Sequence, residues 1–188
     1  RAVSFKLFKL RSMIKNASEF KTNSTKENDF RITKIGKIIR KYKLDELTQI
    51  INVINGSMSF VGPRPNTFKE GVELYTKSEM GLLSVKPGIT DLASIVFSDE
   101  AKILYKSKDP DKDYNLIIRP WKSRLGLLYI KNCSLSLDLL ILVLTPLAIF
   151  KKDLALNIIC KKLKQFKASE ELIKVCSRKE KIKLISPP

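Results

Sequence analysis

Apolar side chains recur at helical spacing over two consecutive stretches near residue 40. The first stripe consists of Ile35, Ile38, Ile39 and Tyr42, and the second consists of Leu44, Leu47, Ile50, Ile51 and Ile54. This spacing predicts two amphipathic helices, and Asn55-Gly56 provides a C-terminal stop for the second. Asp45 and Glu46 therefore fall in the first turn of the second helix, whose positive end favours ionised carboxylates.

Extended structure is predicted on both sides of these helices. Apolar and basic residues partly alternate over residues 5–13, which favours a strand or an extended ribbon. Residues 15–30 are polar and read as a loop, and residues 57–61 fit a short strand. Pro87-Gly88 is typical of the centre of a type II turn, because glycine accepts the positive φ that this turn needs.

The second half of the chain is predicted to be mostly helical. Residues 66–84 have mixed helical character, Asp99 and Asp109 mark helix starts, and residues 121–133 continue helically. Residues 135–150 are the most apolar run, but they supply only about half of the ~20 apolar residues that a spanning helix needs. A core helix and a helix lying in the membrane interface both remain open for this run.

Residues 151–188 combine helical apolar spacing with many lysines. The apolar stripe consists of Leu154, Ile158, Ile159 and Leu163. A basic helix of this kind suits an anionic lipid surface or, equally, nucleic acid. Beyond Ser177 the composition predicts a flexible, disordered tail. The chain is therefore divided into one compact domain over residues 1–150, and a basic amphipathic helix with a flexible tail over residues 151–188.

The charge and the missing histidines narrow the chemistry. The chain has 36 Lys+Arg against 19 Asp+Glu, a net charge of +17, so nucleic acid, phosphorylated small molecules or an acidic membrane surface are the expected partners. With no histidine, catalysis must rely on carboxylates, lysine, arginine, hydroxyls or a hard cation. Cys133, Cys160 and Cys176 match no disulfide or metal pattern and favour reduced thiols in a cytoplasm-facing location.

Two short polar motifs are candidates for chemistry. Adjacent acids at a helix start are ordinarily a cap and a partner of the helix dipole, and that interpretation stays open for Asp45 and Glu46. In Gly62-Pro63-Arg64-Pro65 the prolines keep the backbone of Arg64 extended. This lowers the conformational entropy that is lost when its guanidinium binds an anion. Arg40 precedes Asp45 closely enough to share a site across a bend.

Five motifs, taken in order, resemble the bacterial sugar transferase family, the monotopic phosphoglycosyl transferases that start polysaccharide and glycoconjugate assembly. They are FKLFKLRSM at 5–13, TKIGKIIR at 33–40, LDEL at 44–47, NVINGSMSFVGPRP at 52–65 and KPGIT at 86–90. Each motif is weak alone, but their shared order and ordinary spacing make the set specific. The resemblance extends over about residues 5–150, and it implies that the domain over residues 1–150 is catalytic.

The resemblance implies transfer of a sugar 1-phosphate from a UDP-sugar to polyprenyl (undecaprenyl) phosphate, with release of UMP. It makes Asp45 the nucleophile that forms a phospho-aspartyl intermediate, and Glu46 the catalytic carboxylate that holds Mg²⁺. The residues it suggests for substrate binding are Lys9, Arg40, Pro63, Arg64, Pro65 and Lys86. These roles suit the composition, because a carboxylate nucleophile needs no histidine and Mg²⁺ prefers oxygen ligands.

The resemblance also implies a fold and a location. The expected fold is α+β and mostly helical, with a small strand component and amphipathic helices on the membrane surface. Members carry a hydrophobic re-entrant helix just upstream, and this chain starts at Arg1, so we expect an N-terminally truncated domain. We expect it on the cytoplasmic face of the bacterial inner membrane, against an anionic surface. Members are often dimeric, which suggests a homodimer while the assembly stays open.

Departures from the family pattern keep other functions open. Ser98 stands where members usually have an arginine associated with nucleotide phosphate binding. The acid that often follows Pro-Arg-Pro in members is displaced, because Lys69 occupies its position and Glu70 comes next. A catalytically inactive membrane-peripheral fragment is therefore one alternative. A basic nucleic-acid-binding module is another, although the chain contains no recognition motif and a single Trp, so no specific nucleic acid is expected.

Overall fold

The computed structural model of the protein describes residues 3–20, 24–25, 28–68 and 71–188. Its α-helices are α1 (Lys34–Lys41), α2 (Ile50–Ile54), α3 (Leu92–Val96), α4 (Glu100–Ile103), α5 (Pro110–Asp113), α6 (Arg119–Lys131), α7 (Leu135–Phe150), α8 (Lys152–Gln165) and α9 (Glu170–Ser177). Side-chain oxygens that accept a backbone N–H bond cap α1, α3, α5, α7 and α9 at Thr33, Asp91, Asp109, Ser134 and Ser169. The predicted helix starts at Asp99 and Asp109 are confirmed, since these residues directly precede α4 and α5.

Short helical segments of other types connect several of these helices. The 3₁₀ helices are Ala17–Glu19, Leu44–Gln49, Val72–Leu74 and Glu79–Ser84, and the π-helical turn Tyr114–Ile118 joins α5 to α6. The predicted helix over residues 44–54 thus exists as a 3₁₀ helix that runs into α2. Lys43 precedes it with a left-handed φ of 55°, which produces the bend after α1.

The sheet consists of two short strands, β1 (Ser59–Val61) and β2 (Gly88–Thr90). They pair in parallel, with Ser59 opposite Gly88 and Val61 opposite Thr90. A Cβ added to Gly88 would lie 2.1 Å from the backbone nitrogen of Gly62, so this close crossing requires glycine. The strand predicted at 57–61 is confirmed. The type II turn predicted at Pro87-Gly88 is wrong, because Gly88 enters β2 without the positive φ of such a turn.

The core lies mainly between α3, α6, α7, α8 and α9. α7 buries one face, formed by Leu137, Ile141, Leu144 and Ala148, and exposes a second apolar face that includes Leu139, Val143 and Phe150. α7 is therefore a core helix that also presents apolar side chains to solvent. Within the described ranges, none of the helices combines the length and apolar character needed to cross a bilayer.

The C-terminal region packs on the core more fully than its composition suggests. Of the predicted apolar stripe of α8, Ile159 and Leu163 are buried in the core, Ile158 is half-buried and Leu154 is 48% exposed, so only part of the stripe packs inward. The disorder predicted beyond Ser177 is wrong: the segment is extended, and the Trp121 indole donates to the Lys183 carbonyl at 2.9 Å. The functional division at residue 150 stays a prediction.

The α+β, mostly helical fold class is confirmed, with two local exceptions. Of the two forms predicted over residues 5–13, a strand or an extended ribbon, the strand is not formed: these residues pair in no ladder, and Met13 makes an isolated bridge to Ile32. Among the described residues of 66–84, two 3₁₀ helices replace the expected helix. Lys69 and Glu70 lie outside the described residues, as do residues 1–2, 21–23 and 26–27, which belong to the predicted ribbon and loop.

Candidate active site

Asp45 lies buried at the start of the 3₁₀ helix 44–49, 4% exposed. The ammonium of Lys9 lies 3.1 Å from Asp45 Oδ2, and the Lys9 side chain is 42% exposed. The Asp45 carbonyl also accepts a bond from the Leu10 N–H at 3.1 Å. The structure therefore brings together two predicted site residues, a shielded carboxylate and a cation that covers it from the solvent side.

The extended N-terminal segment reaches Asp45 because Asn52 holds it. Asn52 is 2% exposed; its Oδ1 accepts from the Phe8 N–H at 3.0 Å, and its Nδ2 donates to the Lys6 carbonyl at 2.8 Å. One amide thus replaces the strand ladder that the sequence predicts here, and it fixes the backbone on one side of Lys9. Asn52 was missed by sequence reasoning, because nothing in its local pattern marks an interior polar side chain of a short amphipathic helix.

The α1 helix lies close against the same segment. A Cβ added to Gly36 would stand 1.9 Å from the Ser12 carbonyl oxygen, so only glycine allows this approach. Arg40, in the last turn of α1, donates from Nε to Ser12 Oγ at 2.8 Å. Burial lowers the pKa of the Arg40 guanidinium, while the nearby charges of Asp45 and Asp29 partly oppose this. Arg40 is therefore close enough to Asp45 for their charges to interact, as predicted, and Ser12 orients the Arg40 side chain.

Glu46 is held by the guanidinium of the Pro-Arg-Pro motif. Arg64 Nη1 lies 2.7 Å from Glu46 Oε2, and Arg64 Nη2 lies 2.9 Å from Oε1, a bidentate pair. Nη1 also donates to the carbonyl of Ile89 in β2. The parallel pairing of β1 and β2 sets this contact, because it carries the chain directly from Val61 into the motif beside Ile89.

The remaining predicted binding residues separate into two groups. Pro63 is buried and accepts the Gly88 N–H on its carbonyl at 3.0 Å, and Pro65 is half-buried, so both act by shaping the backbone around Arg64. Lys86 is exposed, and its ammonium lies near Gly56, beyond the C-terminal end of α2. Asp45 and Glu46 lie at the other end of the 44–54 stretch, and the structure does not join Lys86 to them.

A cavity of about 290 Å³ opens beside Glu46, between the 44–50 stretch, β2 and α7. Its lining is Tyr42, Lys43, Glu46, Leu47, Ile50, Phe60, Ile89, Thr90, Ser94, Thr145, Pro146 and Ile149. Most of these side chains are apolar, and the charged ones are Lys43 and Glu46. A smaller cavity of about 50 Å³ lies on the other side of Ser94 and is lined in part by Arg64, Asp91 and Lys122.

Lys43 and Lys122 are cations that sequence reasoning missed. Burial lowers the pKa of the Lys43 ammonium, since the nearby Glu46 only partly opposes it. Burial also lowers the pKa of Lys122, but the charges of Tyr114 and Glu100 outweigh it and raise the value overall. Lys122 pairs with Glu100. Ser98, where an arginine was expected, lies on the surface after α3 and lines neither cavity.

The acids present suit a cation that arrives with its ligand rather than a preformed metal cage. Among the described residues, no group of three or more His, Cys, Asp or Glu side chains converges as metal ligands. Glu46 contributes a partly exposed carboxylate next to the larger cavity, and Asp45 is its neighbour in sequence. Mg²⁺ commonly binds through one or two carboxylates together with substrate phosphates, so these oxygens fit that mode of binding.

The sequence profile described as bacterial sugar transferase matches residues 1–152 of this chain. Three proteins similar to the chain have names that specify a reaction. One is the UDP-N-acetylgalactosamine-undecaprenyl-phosphate N-acetylgalactosaminephosphotransferase of Aeromonas hydrophila, 36% identical over 75% of this chain and 31% of the relative. Another is the UDP-glucose:undecaprenyl-phosphate glucose-1-phosphate transferase of Klebsiella pneumoniae, 38% identical over 74% of this chain and 28% of the relative.

The third is the undecaprenyl-phosphate galactose phosphotransferase of Salmonella typhimurium, 32% identical over 79% of this chain and 31% of the relative. The chain thus spans about 30% of the length of these relatives. Their names share one acceptor, undecaprenyl phosphate, and differ in the sugar.

Proposed function

The chain belongs to the bacterial sugar transferase family, and we propose that it transfers a sugar 1-phosphate from a UDP-sugar to polyprenyl phosphate, with release of UMP. The observation that carries the proposal is the arrangement of the two acids. Adjacent in sequence, Asp45 and Glu46 are each paired with a cation from a separate segment, Lys9 and Arg64. On adjacent residues, that arrangement supplies a carboxylate nucleophile and cations that can offset the charge of a diphosphate.

In the first step, an Asp45 carboxylate oxygen attacks the phosphorus next to the sugar. The new bond is an acyl phosphate, and the bond from that phosphorus to the bridging oxygen breaks, so that UMP leaves with the electron pair. In the second step, a phosphate oxygen of polyprenyl phosphate attacks the same phosphorus. The Asp45–phosphorus bond then breaks, which gives polyprenyl diphosphate-sugar and restores the carboxylate. A carboxylate is a competent nucleophile at neutral pH without a neighbouring base.

The cations around the two acids offset the charge of the diphosphate. Lys9 pairs with Asp45 in the free protein. When substrate enters, the Lys9 ammonium leaves the carboxylate and binds a phosphoryl oxygen instead. Arg64 holds Glu46 in a fixed position through two parallel bonds. Arg40 adds positive charge near Asp45 from the end of α1. Each of these groups stabilises charge on phosphoryl oxygens in the transition state.

Glu46 is the residue that would hold Mg²⁺, with the substrate diphosphate completing its coordination. The ion supplies Lewis-acid stabilisation of negative charge on the diphosphate. The support for this role is that Glu46 is partly exposed and is held in a fixed direction by Arg64.

We place the protein on an anionic membrane surface, on the cytoplasmic face of the bacterial inner membrane. The support is a net charge of +17 together with exposed apolar side chains on neighbouring helices. The apolar stripes of α1 and residues 44–54 point to solvent, with Ile35 70% and Ile54 78% exposed. A lipid acceptor is only available at such a surface.

The decisive assay measures UMP. The protein is incubated in detergent with Mg²⁺, polyprenyl phosphate and, in turn, UDP-glucose, UDP-galactose and their N-acetylated forms. We expect UMP to be released with one of these donors in an acceptor-dependent reaction, and to be absent with Asp45→Asn. No UMP from any donor, while thermal melting shows folded protein, would favour the inactive membrane-peripheral fragment instead.

A further inference from the structure

The larger cavity, defined by the lining given above, has a charged end and an apolar wall. Lys43 and Glu46 lie at the charged end. The wall is formed from one side by Leu47, Ile50 and Phe60, and from the other by Pro146 and Ile149 of α7. Leu47, Ile50 and Phe60 are between 41% and 56% exposed, so the wall continues onto the protein surface.

The Lys43 ammonium has more hydrogen-bonding capacity than the protein uses. Among the described residues it donates to the Ser94 carbonyl, over a long 3.4 Å. In the part of the chain that the structure describes, no carboxylate lies within 4.0 Å of it, because Glu46 is engaged by Arg64. An ammonium carries three donors, so a ligand that enters the cavity can accept bonds from Lys43 without displacing a carboxylate partner. This favours an anionic partner inside the cavity.

Other cations near Lys43 indicate the charge of that partner. Arg64 and Lys122 both lie close enough to act on the Lys43 ammonium electrostatically. Glu46 and Glu100 neutralise these two neighbours through direct pairs, whereas Lys43 has no such pair among the described residues. A phosphate monoester supplies the negative oxygens that such a group binds.

We propose that this cavity binds the phosphate head and the first isoprene units of the polyprenyl phosphate acceptor, with Lys43 as the phosphate ligand. The assignment rests on the proposed function for the identity of the lipid. A phosphate at Lys43 lies beside Glu46, which lines the same cavity. Asp45, the neighbour of Glu46 in sequence, does not itself line this cavity. The apolar wall receives the chain and directs it outward over Leu47 and Ile50, which are exposed.

The left-handed backbone of Lys43 makes the placement possible. With φ at 55°, Lys43 ends the bend between α1 and the 3₁₀ helix 44–49, and its side chain points under that helix toward Ser94. A residue with ordinary helical φ at this position would continue α1 instead. Lys43 thereby serves as an acceptor-binding residue on the same turn that carries the nucleophile.

Binding is tested with short soluble probes. Farnesyl phosphate, farnesol and inorganic phosphate are titrated by calorimetry into the protein and into three variants, Lys43→Met, Lys43→Arg and Lys174→Met. Lys174 is an exposed lysine of α9, so its variant removes the same charge elsewhere. We expect Lys43→Met to weaken farnesyl phosphate binding about tenfold or more, as loss of one charge-assisted contact predicts. Lys43→Arg and Lys174→Met should bind nearly as the parent does.

The probes separate an amphiphile from a free anion. Farnesol and inorganic phosphate should each bind at least tenfold more weakly than farnesyl phosphate, because each lacks half of the contacts. Ile50→Ser, in the exposed wall, should weaken farnesyl phosphate and leave inorganic phosphate unchanged. Equal binding by Lys43→Met and the parent overturns the proposal, and so does inorganic phosphate binding as tightly as farnesyl phosphate.

Steady-state kinetics distinguish this assignment from the proposed function itself. With turnover present, Lys43→Met should raise KM for the lipid acceptor about tenfold and leave KM for the UDP-sugar unchanged. A raised KM for the UDP-sugar alone assigns Lys43 to the donor and overturns the inference while the transferase survives. Lys43-dependent farnesyl phosphate binding without any turnover overturns the transferase and leaves the lipid site standing.

Discussion

Glu46 shows how one side chain serves both structure and the proposed chemistry. Its carboxylate receives two bonds from Arg64, at 2.7 and 2.9 Å, and its side chain remains about 20% exposed beside the cavity. The Arg64 pair occupies both carboxylate oxygens and fixes their direction, and their remaining lone pairs could still accept a cation that enters with substrate. Neutralising Glu46 therefore affects metal dependence more than fold.

We expect Glu46→Gln to raise the Mg²⁺ concentration needed for half-maximal turnover by about tenfold, because an amide is a weaker ligand for a hard cation than a carboxylate. The measurement is a Mg²⁺ titration of UMP release at saturating substrates. Glu73→Gln removes an exposed carboxylate elsewhere and is the matched control. An unchanged Mg²⁺ requirement in Glu46→Gln would remove Glu46 from metal binding.

At the scale of elements, the site depends on how an irregular segment is attached to a short helix. Asn52 lies on α2 and bonds the backbone of Lys6 and Phe8, while its own carbonyl accepts from the Ser57 and Met58 N–H groups at 2.9 and 3.1 Å. One residue thus joins the N-terminal segment, α2 and the entry to β1. Loss of its amide should loosen all three elements together.

Replacing Asn52 by leucine, similar in shape, should lower the free energy of unfolding by about 1–3 kcal/mol, because the bonds from its buried amide to the backbone of Lys6 and Phe8 are lost. Urea unfolding measures the change, and hydrogen exchange of the Phe8 amide should become faster. Asn157→Leu, at an exposed position of α8, is the control. Unchanged protection of Phe8 would mean that Asn52 does not hold the segment.

The elements that could be predicted from sequence are those with a local signal. The α1 stripe, the Asn55-Gly56 stop and the β1 strand all have such signals, and all are confirmed. The role of Asn52 depends on a partner distant in sequence, and the course of the tail depends on packing beside Trp121. No local pattern encodes such contacts, so both were missed.

The candidate site divides in the same way. Motif resemblance indicated Asp45, Glu46 and Arg64, and the structure places the last two in direct contact. The resemblance did not indicate Lys43. The proposed role of Lys43 depends on a left-handed turn and on a cavity completed by α7, far along the chain. Lys86 lies in a motif but beyond the end of α2, because strand pairing and not sequence spacing sets its position.

Over the whole molecule, buried ion pairs make the fold sensitive to acid. Glu79 is fully buried and bonds to Arg119 and Ser123. Burial raises the pKa of Glu79, but these bonds outweigh it and bring the value below the ordinary 4.5. Because the folded-state pKa is the lower one, this stabilisation is present above about pH 4.5 and is lost as the pH falls through the folded-state value.

Glu79→Gln should therefore lower the free energy of unfolding at pH 7 and reduce its dependence on pH below 4.5. Urea unfolding over a series of pH values measures both effects. Glu180→Gln, at an exposed position in the tail, should leave the pH profile of the parent unchanged. If Glu79→Gln unfolds with the full acid sensitivity of the parent, another group is responsible.

Membrane attachment is also a property of the whole surface. The exposed apolar side chains of α2 include Ile51 and Ile54, and the net charge is +17. We expect the protein to sediment with phosphatidylglycerol vesicles, and a double substitution, Ile51→Ser with Ile54→Ser, to reduce partitioning by about tenfold or more. Leu184→Ser, an equally exposed apolar residue of the tail, is the control. Equal loss from both changes would indicate a nonspecific apolar effect.

The central claim, that Asp45 forms a bond to phosphorus, is tested most directly by trapping the intermediate. The protein is mixed with UDP-sugar and Mg²⁺ without acceptor, quenched in acid and analysed by intact and peptide mass spectrometry. The account predicts a mass increase equal to one sugar phosphate minus water on the peptide containing Asp45, its absence in Asp45→Asn, and its disappearance on addition of polyprenyl phosphate. Normal turnover by Asp45→Asn, or an adduct located on another residue, would contradict it.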